Sequence, residues 1–212
     1  MKILFLGDSI TDMSRKYNSD GLIESYGDSY VFFVAGKLLS ENPQAYQIIN
    51  RGIGGNRIVD LYARIKRDVW NEKPDVLSIL IGVNDVWHEF AEQPNGVDLV
   101  RWEKIYRMLI EETKEKLPNT KIIICEPFVL RGRATEYGNR YEDFQIVKKY
   151  ATKAKEIAED YRLSFVPLQK KFDEAAEKFG GTYYLYDGVH PDVAGAALIA
   201  KEWLSVFETQ IK

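Results

Sequence analysis

The chain alternates between short, nearly all apolar runs and longer stretches whose apolar positions recur at three- and four-residue spacing. The first run, Ile3 to Leu6, stops at Gly7, and later ones occupy residues 46–49, 76–81, 121–125 and 163–166. Each of the later runs holds a single polar residue (Gln47, Ser78, Lys121 and Ser164), and runs this nearly apolar read as strands buried on both faces, the pattern of a parallel sheet. Between them, helical spacing predicts helices over 30–39, 58–70, 100–117, 141–161 and 168–179, with a last one from about 192 to 207. Pro74 and Pro118 act as stops, and Pro191 suits the first turn of the final helix. The β–α alternation predicts one three-layer α/β/α domain, residues 1–212, around a five-stranded parallel sheet. No repeat, low-complexity segment or Pro/Ser linker marks a second domain. Residues 11–27, 87–97 and 130–139 lack periodicity and predict loops, the last two lid-like.

Composition narrows the function classes. At 212 residues and 45% hydrophobic, the chain can bury one sizeable core. A formal net charge of -3, with Lys and Glu mixed, gives no basic field for nucleic acid. The one cysteine, Cys125, excludes an internal disulfide and suits a reducing compartment. No run approaches the roughly 20 apolar residues that span a bilayer, and the first apolar run is too short for a signal peptide. A cytoplasmic protein with neither membrane nor nucleic-acid partner is expected. Two histidines and one cysteine lie far apart, so no metal or other cofactor is expected. His88 reads as solvated and Cys125 as core.

The candidate chemistry collects at strand ends, where ligands sit in open α/β sheets. Ser9 follows the first strand, Gly52 to Asn56 the second and Asn84 the third, while Asp187 and His190 precede the last helix. These residue types suit acyl transfer. His190 can accept the Ser9 proton, and Asp187 can hold the imidazole in its working tautomer. The amides of Ser9 and Gly55 and the side-chain amide of Asn84 can receive a developing oxyanion. Each part also has a plainer reading: Ser9 as a helix cap, Asn84-Asp85 as a turn pair, Gly54-Gly55 as a loop, Asp187 with His190 as a surface or capping arrangement near a helix start. Gly52-Ile53-Gly54 faintly suggests a dinucleotide loop, but Arg57 stands where a third glycine belongs. A phosphate-cradling loop after the first strand is disfavoured by Asp8 and Asp12. The tripeptide Gly-Asp-Ser occurs again at Gly27-Asp28-Ser29, ahead of a predicted helix, and reads there as a cap.

Gly7-Asp8-Ser9-Ile10 resembles the opening block of the GDSL, or SGNH, hydrolases. Gly52-Ile53-Gly54-Gly55-Asn56 is similar to that family's glycine block, Gly82-Val83-Asn84-Asp85 to its Gly-x-Asn-Asp block, and Asp187-Gly188-Val189-His190 to its Asp-x-x-His block. Ile10 replaces the usual leucine and keeps its apolar character. The resemblance covers almost the whole chain. It implies a flavodoxin-like sheet of order 2-1-3-4-5 and hydrolysis of esters or thioesters through Ser9, Asp187 and His190, without a metal. Longer matches, among them Glu126-Pro127-Phe128 and Asp187 through Gly195, resemble the intracellular bacterial acetylxylan esterases within the family. That likeness implies a small acetylated sugar as substrate and assembly as a homo-oligomer. The alternative is a lysophospholipase or acyl-thioesterase type of lipolytic hydrolase; a non-catalytic carbohydrate-binding module would lack a triad member. Trp87, Tyr183, Tyr184 and Tyr186 could offer faces to a sugar ring. The expected substrate contacts are Asp8, Trp87, Tyr186 and Val189.

Overall fold

The five apolar runs pair side by side, all parallel, in the order β2-β1-β3-β4-β5. In the computed structural model, which describes residues 1–212 apart from the side chain of Asn139, the strands are β1 (Lys2–Gly7), β2 (Gln47–Gly52), β3 (Val76–Leu80), β4 (Lys121–Cys125) and β5 (Ser164–Val166). The helices are α1 (Ser9–Asp12), α2 (Tyr30–Glu41), α3 (Ile58–Ile65), α4 (Val83–Trp87), α5 (Leu99–Lys116), α6 (Arg133–Glu136), α7 (Tyr141–Phe144), α8 (Val147–Asp160), α9 (Gln169–Phe179) and α10 (Val193–Val206). Helices α2 and α10 pack together, and α3, α5 and α8 form a second group, so the sheet is covered on both faces. Ile3, Leu4, Phe5 and Leu6 are wholly buried within this core. Phe5 meets Tyr30 of α2 edge-on and Trp203 of α10 at 5.0 Å between ring centroids. The Trp203 Nε1–H donates to Ser78 Oγ at 2.9 Å. That hydroxyl also lies 3.6 Å from the sulfur of Cys125, a buried thiol whose pKa burial pushes up to about 12.

The register sets Gly7 opposite Gly52 and Leu80, which levels the ends of the three central strands at one edge. Strand β2 runs three residues past the expected 46–49 because Asn50 is buried with its polar atoms satisfied. Its amide nitrogen donates to the carbonyls of Thr11 (2.7 Å) and Tyr26 (2.9 Å), and its Oδ1 accepts from Gly52 N at 2.8 Å. Arg51 next to it is held by Asp20 and Glu72. The helix expected over 141–161 is divided into α7 and α8. The break lets Phe144 turn into Trp87 and Phe90, at 5.6 and 4.9 Å, while Val147, Tyr150 and Ala154 face the core. The loops expected over 11–27, 87–97 and 130–139 each contain short helical turns: the end of α1, residues 88–90 and 133–139. Among the described residues, no helix is long and apolar enough to cross a membrane.

Candidate active site

The site begins where β1 ends. Asp8 is the N-cap of α1, its Oδ1 accepting from Ile10 N at 2.9 Å. Because the aspartate takes the cap, Ser9 becomes the first helical residue and its hydroxyl is free to point elsewhere. Ser9 Oγ lies 2.8 Å from His190 Nε2, and His190 Nδ1 lies 2.7 Å from Asp187 Oδ2. The other Asp187 oxygen accepts from the amides of Val189 (2.9 Å) and His190 (2.8 Å). The segment is clamped from the neighbouring loop, since Ala134 N donates to Asp187 O and Leu130 N to Gly188 O, both at 2.9 Å.

Electrostatics reinforce this geometry. Burial alone would lower the His190 pKa, but the Asp187 carboxylate on Nδ1, with a smaller contribution from Asp8, outweighs it and the imidazole sits above its ordinary range. Burial would raise Asp187, yet the bonds from His190 and from the Val189 amide hold it below the usual carboxylate range. Asp8 is 1% exposed, and burial pushes its carboxyl up to about 7 despite the Ile10 amide and His190.

Three candidate donors lie at the ends of neighbouring strands, Ser9 after β1, Gly55 after β2 and Asn84 after β3. The amides of Ser9 and Gly55 make no hydrogen bond to another described residue. Gly55 adopts φ +78°, a region closed to most side chains. The Asn84 side-chain nitrogen donates to Asn56 O at 3.1 Å, which leaves its second N–H available. Arg64, on α3, ties the edge together. Its guanidinium reaches Gly7 O (3.1 Å), Arg51 O (2.8 Å) and Asn56 Oδ1 (2.8 Å), and pairs with Asp68 at 2.6 Å. Asp85 Oδ1 accepts from Ile58 N at 3.0 Å, which fixes the start of α3.

Of the expected residues, Ser9, His190 and Asp187 are in direct contact at the carboxyl edge of the sheet, and Gly55 and Asn84 follow the ends of β2 and β3 on the same edge. Trp87 and Tyr186 flank the imidazole, each with its ring 5.9 Å from that of His190, Tyr186 stacked at 18°. Two expected substrate contacts do not reach the surface. Val189 is wholly buried and contributes its amide to Asp187, and Asp8 is buried beneath the nucleophile. The second Gly-Asp-Ser caps α2, with Ser29 Oγ accepting from Val31 N at 3.1 Å. Asp12, Tyr17, Asn50 and Arg64 were not among the expected site residues. Only Asp12 left a signal, since it stands one helical turn beyond Ser9.

The arrangement can deliver a serine alkoxide to an ester carbonyl. The GDSL-like Lipase/Acylhydrolase family profile matches residues 5–198. An acetylxylan esterase from Geobacillus stearothermophilus is 36% identical over 208 residues, 96% of this chain and 92% of that protein. The structure of Axe2, an acetylxylan esterase from the same organism, superposes with a TM-score of 0.87 at 34% identity, covering 99% of this chain and 94% of Axe2. Axe2 has catalytic mutants at a serine, an aspartate and a histidine, in that chain order. A GDSL-like protein from Parabacteroides merdae superposes with a TM-score of 0.87 at 40% identity, covering 98% of this chain and 95% of that one. The chain belongs to the GDSL-like lipase/acylhydrolase family of carboxylic ester hydrolases.

Proposed function

We propose that this chain is a serine esterase that removes acetyl groups from small acetylated sugars, xylo-oligosaccharides foremost, working as a single domain in the cytoplasm. The observation that carries the catalytic assignment is the hydrogen-bond chain from Asp187 through His190 to Ser9, at 2.7 and 2.8 Å. Ser9 Oγ attacks the ester carbonyl while His190 Nε2 takes its proton, and Asp187 stabilises the imidazolium. The amides of Ser9 and Gly55 and the Asn84 side chain receive the oxyanion. Collapse of the tetrahedral intermediate breaks the bond to the sugar oxygen, which leaves with the proton from His190. Water then attacks the acetyl-serine with His190 as base; acetate departs and Ser9 recovers its proton. The acetylated-sugar assignment is supported by the acetylxylan esterases among the relatives and by Trp87 and Tyr186 beside the imidazole.

A panel of acetylated xylo-oligosaccharides, 4-nitrophenyl esters from acetyl to octanoyl, and acyl thioesters tests this reading. Acetyl esters are expected to turn over fastest, Ser9→Ala to lose activity, and a fluorophosphonate to label Ser9. A label on Ser29, or turnover surviving in Ser9→Ala, overturns the catalytic assignment. A preference for octanoyl esters overturns the substrate assignment in favour of a lipolytic hydrolase.

A further inference from the structure

The nucleophile turn and the loop bearing the Gly55 amide come from different strands, yet a side-chain bridge joins them. Asp12 ends α1, on the same helical face as Ser9. Its Oδ2 accepts two hydrogen bonds, from Gly54 N at 2.9 Å and from the Tyr17 hydroxyl at 2.7 Å. Its other oxygen is buried with no partner among the described residues, so these two donors, with the nearby Arg15 charge, compensate the carboxylate for leaving water. Arg15 adds a second tie. Its Nε–H donates to Gly52 O at 2.8 Å, and its guanidinium lies 4.1 Å from the centre of the Tyr17 ring. The backbones touch directly as well: a Cβ on Gly52 would overlap the Asp12 backbone, and one on Gly54 would sit 3.9 Å from Ser9 Cβ. Ile53 N donates to Gly7 O at 3.1 Å and Asn56 is held by Arg64 and Asn84, while between these two anchors the Gly54 amide is fixed against the nucleophile turn by the Asp12 side chain.

We propose that Asp12 and Tyr17 are positioning residues for catalysis, holding the Gly54-Gly55 loop so that the Gly55 amide meets the oxyanion formed at Ser9. The inference rests on the reading of Gly55 as an oxyanion donor. Neither side chain touches the reacting atoms. Tyr17 is 51% exposed, so its hydroxyl serves the bridge and its ring is not a core element. A donor displaced by about 1 Å costs on the order of 10² in rate, because the charge it should meet exists only in the transition state.

The test is kinetic. Tyr17→Phe keeps the ring and removes the hydroxyl; kcat on 4-nitrophenyl acetate is expected to fall roughly tenfold, the worth of one hydrogen bond to a charged group, with KM unchanged. Asp12→Ala is expected to lower kcat by roughly 10². A boronic acid that forms a tetrahedral adduct on Ser9 provides a readout that general destabilisation does not move, with Ki expected to rise in each variant by the factor that kcat falls. Wild-type kcat and Ki in Tyr17→Phe, or a loss confined to KM, overturns the proposal. Ser9→Ala measured alongside separates the two readings. Turnover surviving there removes the serine mechanism itself, whereas an inactive Ser9→Ala beside an unaltered Tyr17→Phe removes only the bridge.

Discussion

The tripeptide Gly-Asp-Ser occurs twice, at Gly7-Asp8-Ser9 and Gly27-Asp28-Ser29, and the two copies start helices in different registers. In the first, the aspartate is the cap and the serine is the first helical residue, its hydroxyl turned to His190. In the second, the serine is the cap. Ser29 is fully buried, accepts from Val31 N and donates to Tyr26 O at 3.0 Å, so both hydrogen-bonding functions of its hydroxyl are spent on the backbone. A shift of one residue in cap position thus separates a hydroxyl turned to an imidazole from one bound to the backbone. The second copy also braces the first: Asp28 N donates to Met13 O at 2.8 Å, and Gly27 lies against the backbone of Asp12 and Met13.

Substitutions in the two copies should part company most widely in turnover. Ser9→Ala is expected to lower kcat by roughly 10⁴ or more, while Ser29→Ala stays within about twofold of the parent. Comparable losses in steady-state kinetics would erase the distinction. Gly27→Ala should be the costliest change in the second copy. Its φ of +67° and the overlap of a Cβ with Asp12 O would move α1, so thermal unfolding should fall by the equivalent of about 2–4 kcal/mol and kcat should fall with it. Loss of stability without loss of kcat would show that the second copy does not brace the first.

Asp8→Asn sharpens the contrast through pH. Asp8 holds its proton to about pH 7 in the folded chain but releases it near 3.8 when unfolded. The native state therefore binds the extra proton between those values, and the contribution of Asp8 to stability falls as pH rises through that window. Asparagine keeps the cap and cannot titrate, so the decline in melting temperature from about pH 4 to pH 7 should be shallower in the variant. Asp85, pushed by burial to about 8, and His190, held above its ordinary range by Asp187, lower stability in the same direction as pH rises and remain in the variant. An unchanged slope would place the Asp8 proton elsewhere. The smallest expected effect is that of Ser29→Ala on stability, about 1 kcal/mol for a lost cap, read from chemical denaturation.

The strands were legible because burial on both faces leaves a run broken by few polar residues. The end of β2 was not, since Asn50 is buried through hydrogen bonds that hydropathy cannot register. The break before α8 was equally hidden, because the periodicity of 141–161 persists across it while Phe144 turns toward Trp87. At the site, strand-end position and motif spacing pointed to Ser9, Asp187 and His190, which the structure places in hydrogen-bond contact. Proximity along the chain misled at Val189 and Asp8, where nearness to a catalytic position came with complete burial. The bridge itself was hidden for the opposite reason: Asp12 stands in plain view one turn beyond Ser9, but its partners are Gly54, 42 residues away, and Tyr17, a tyrosine inside a segment without periodicity.

Cys125 gives the molecule a built-in reporter. Its thiol is the only one in the chain, sealed at the end of β4 and kept protonated by burial. A neutral thiol reagent can reach it only when the sheet opens, whereas a serine-directed probe reads the assembled edge. Used together on one sample, the two labels resolve a variant that has lost its chemistry from one that has lost its architecture.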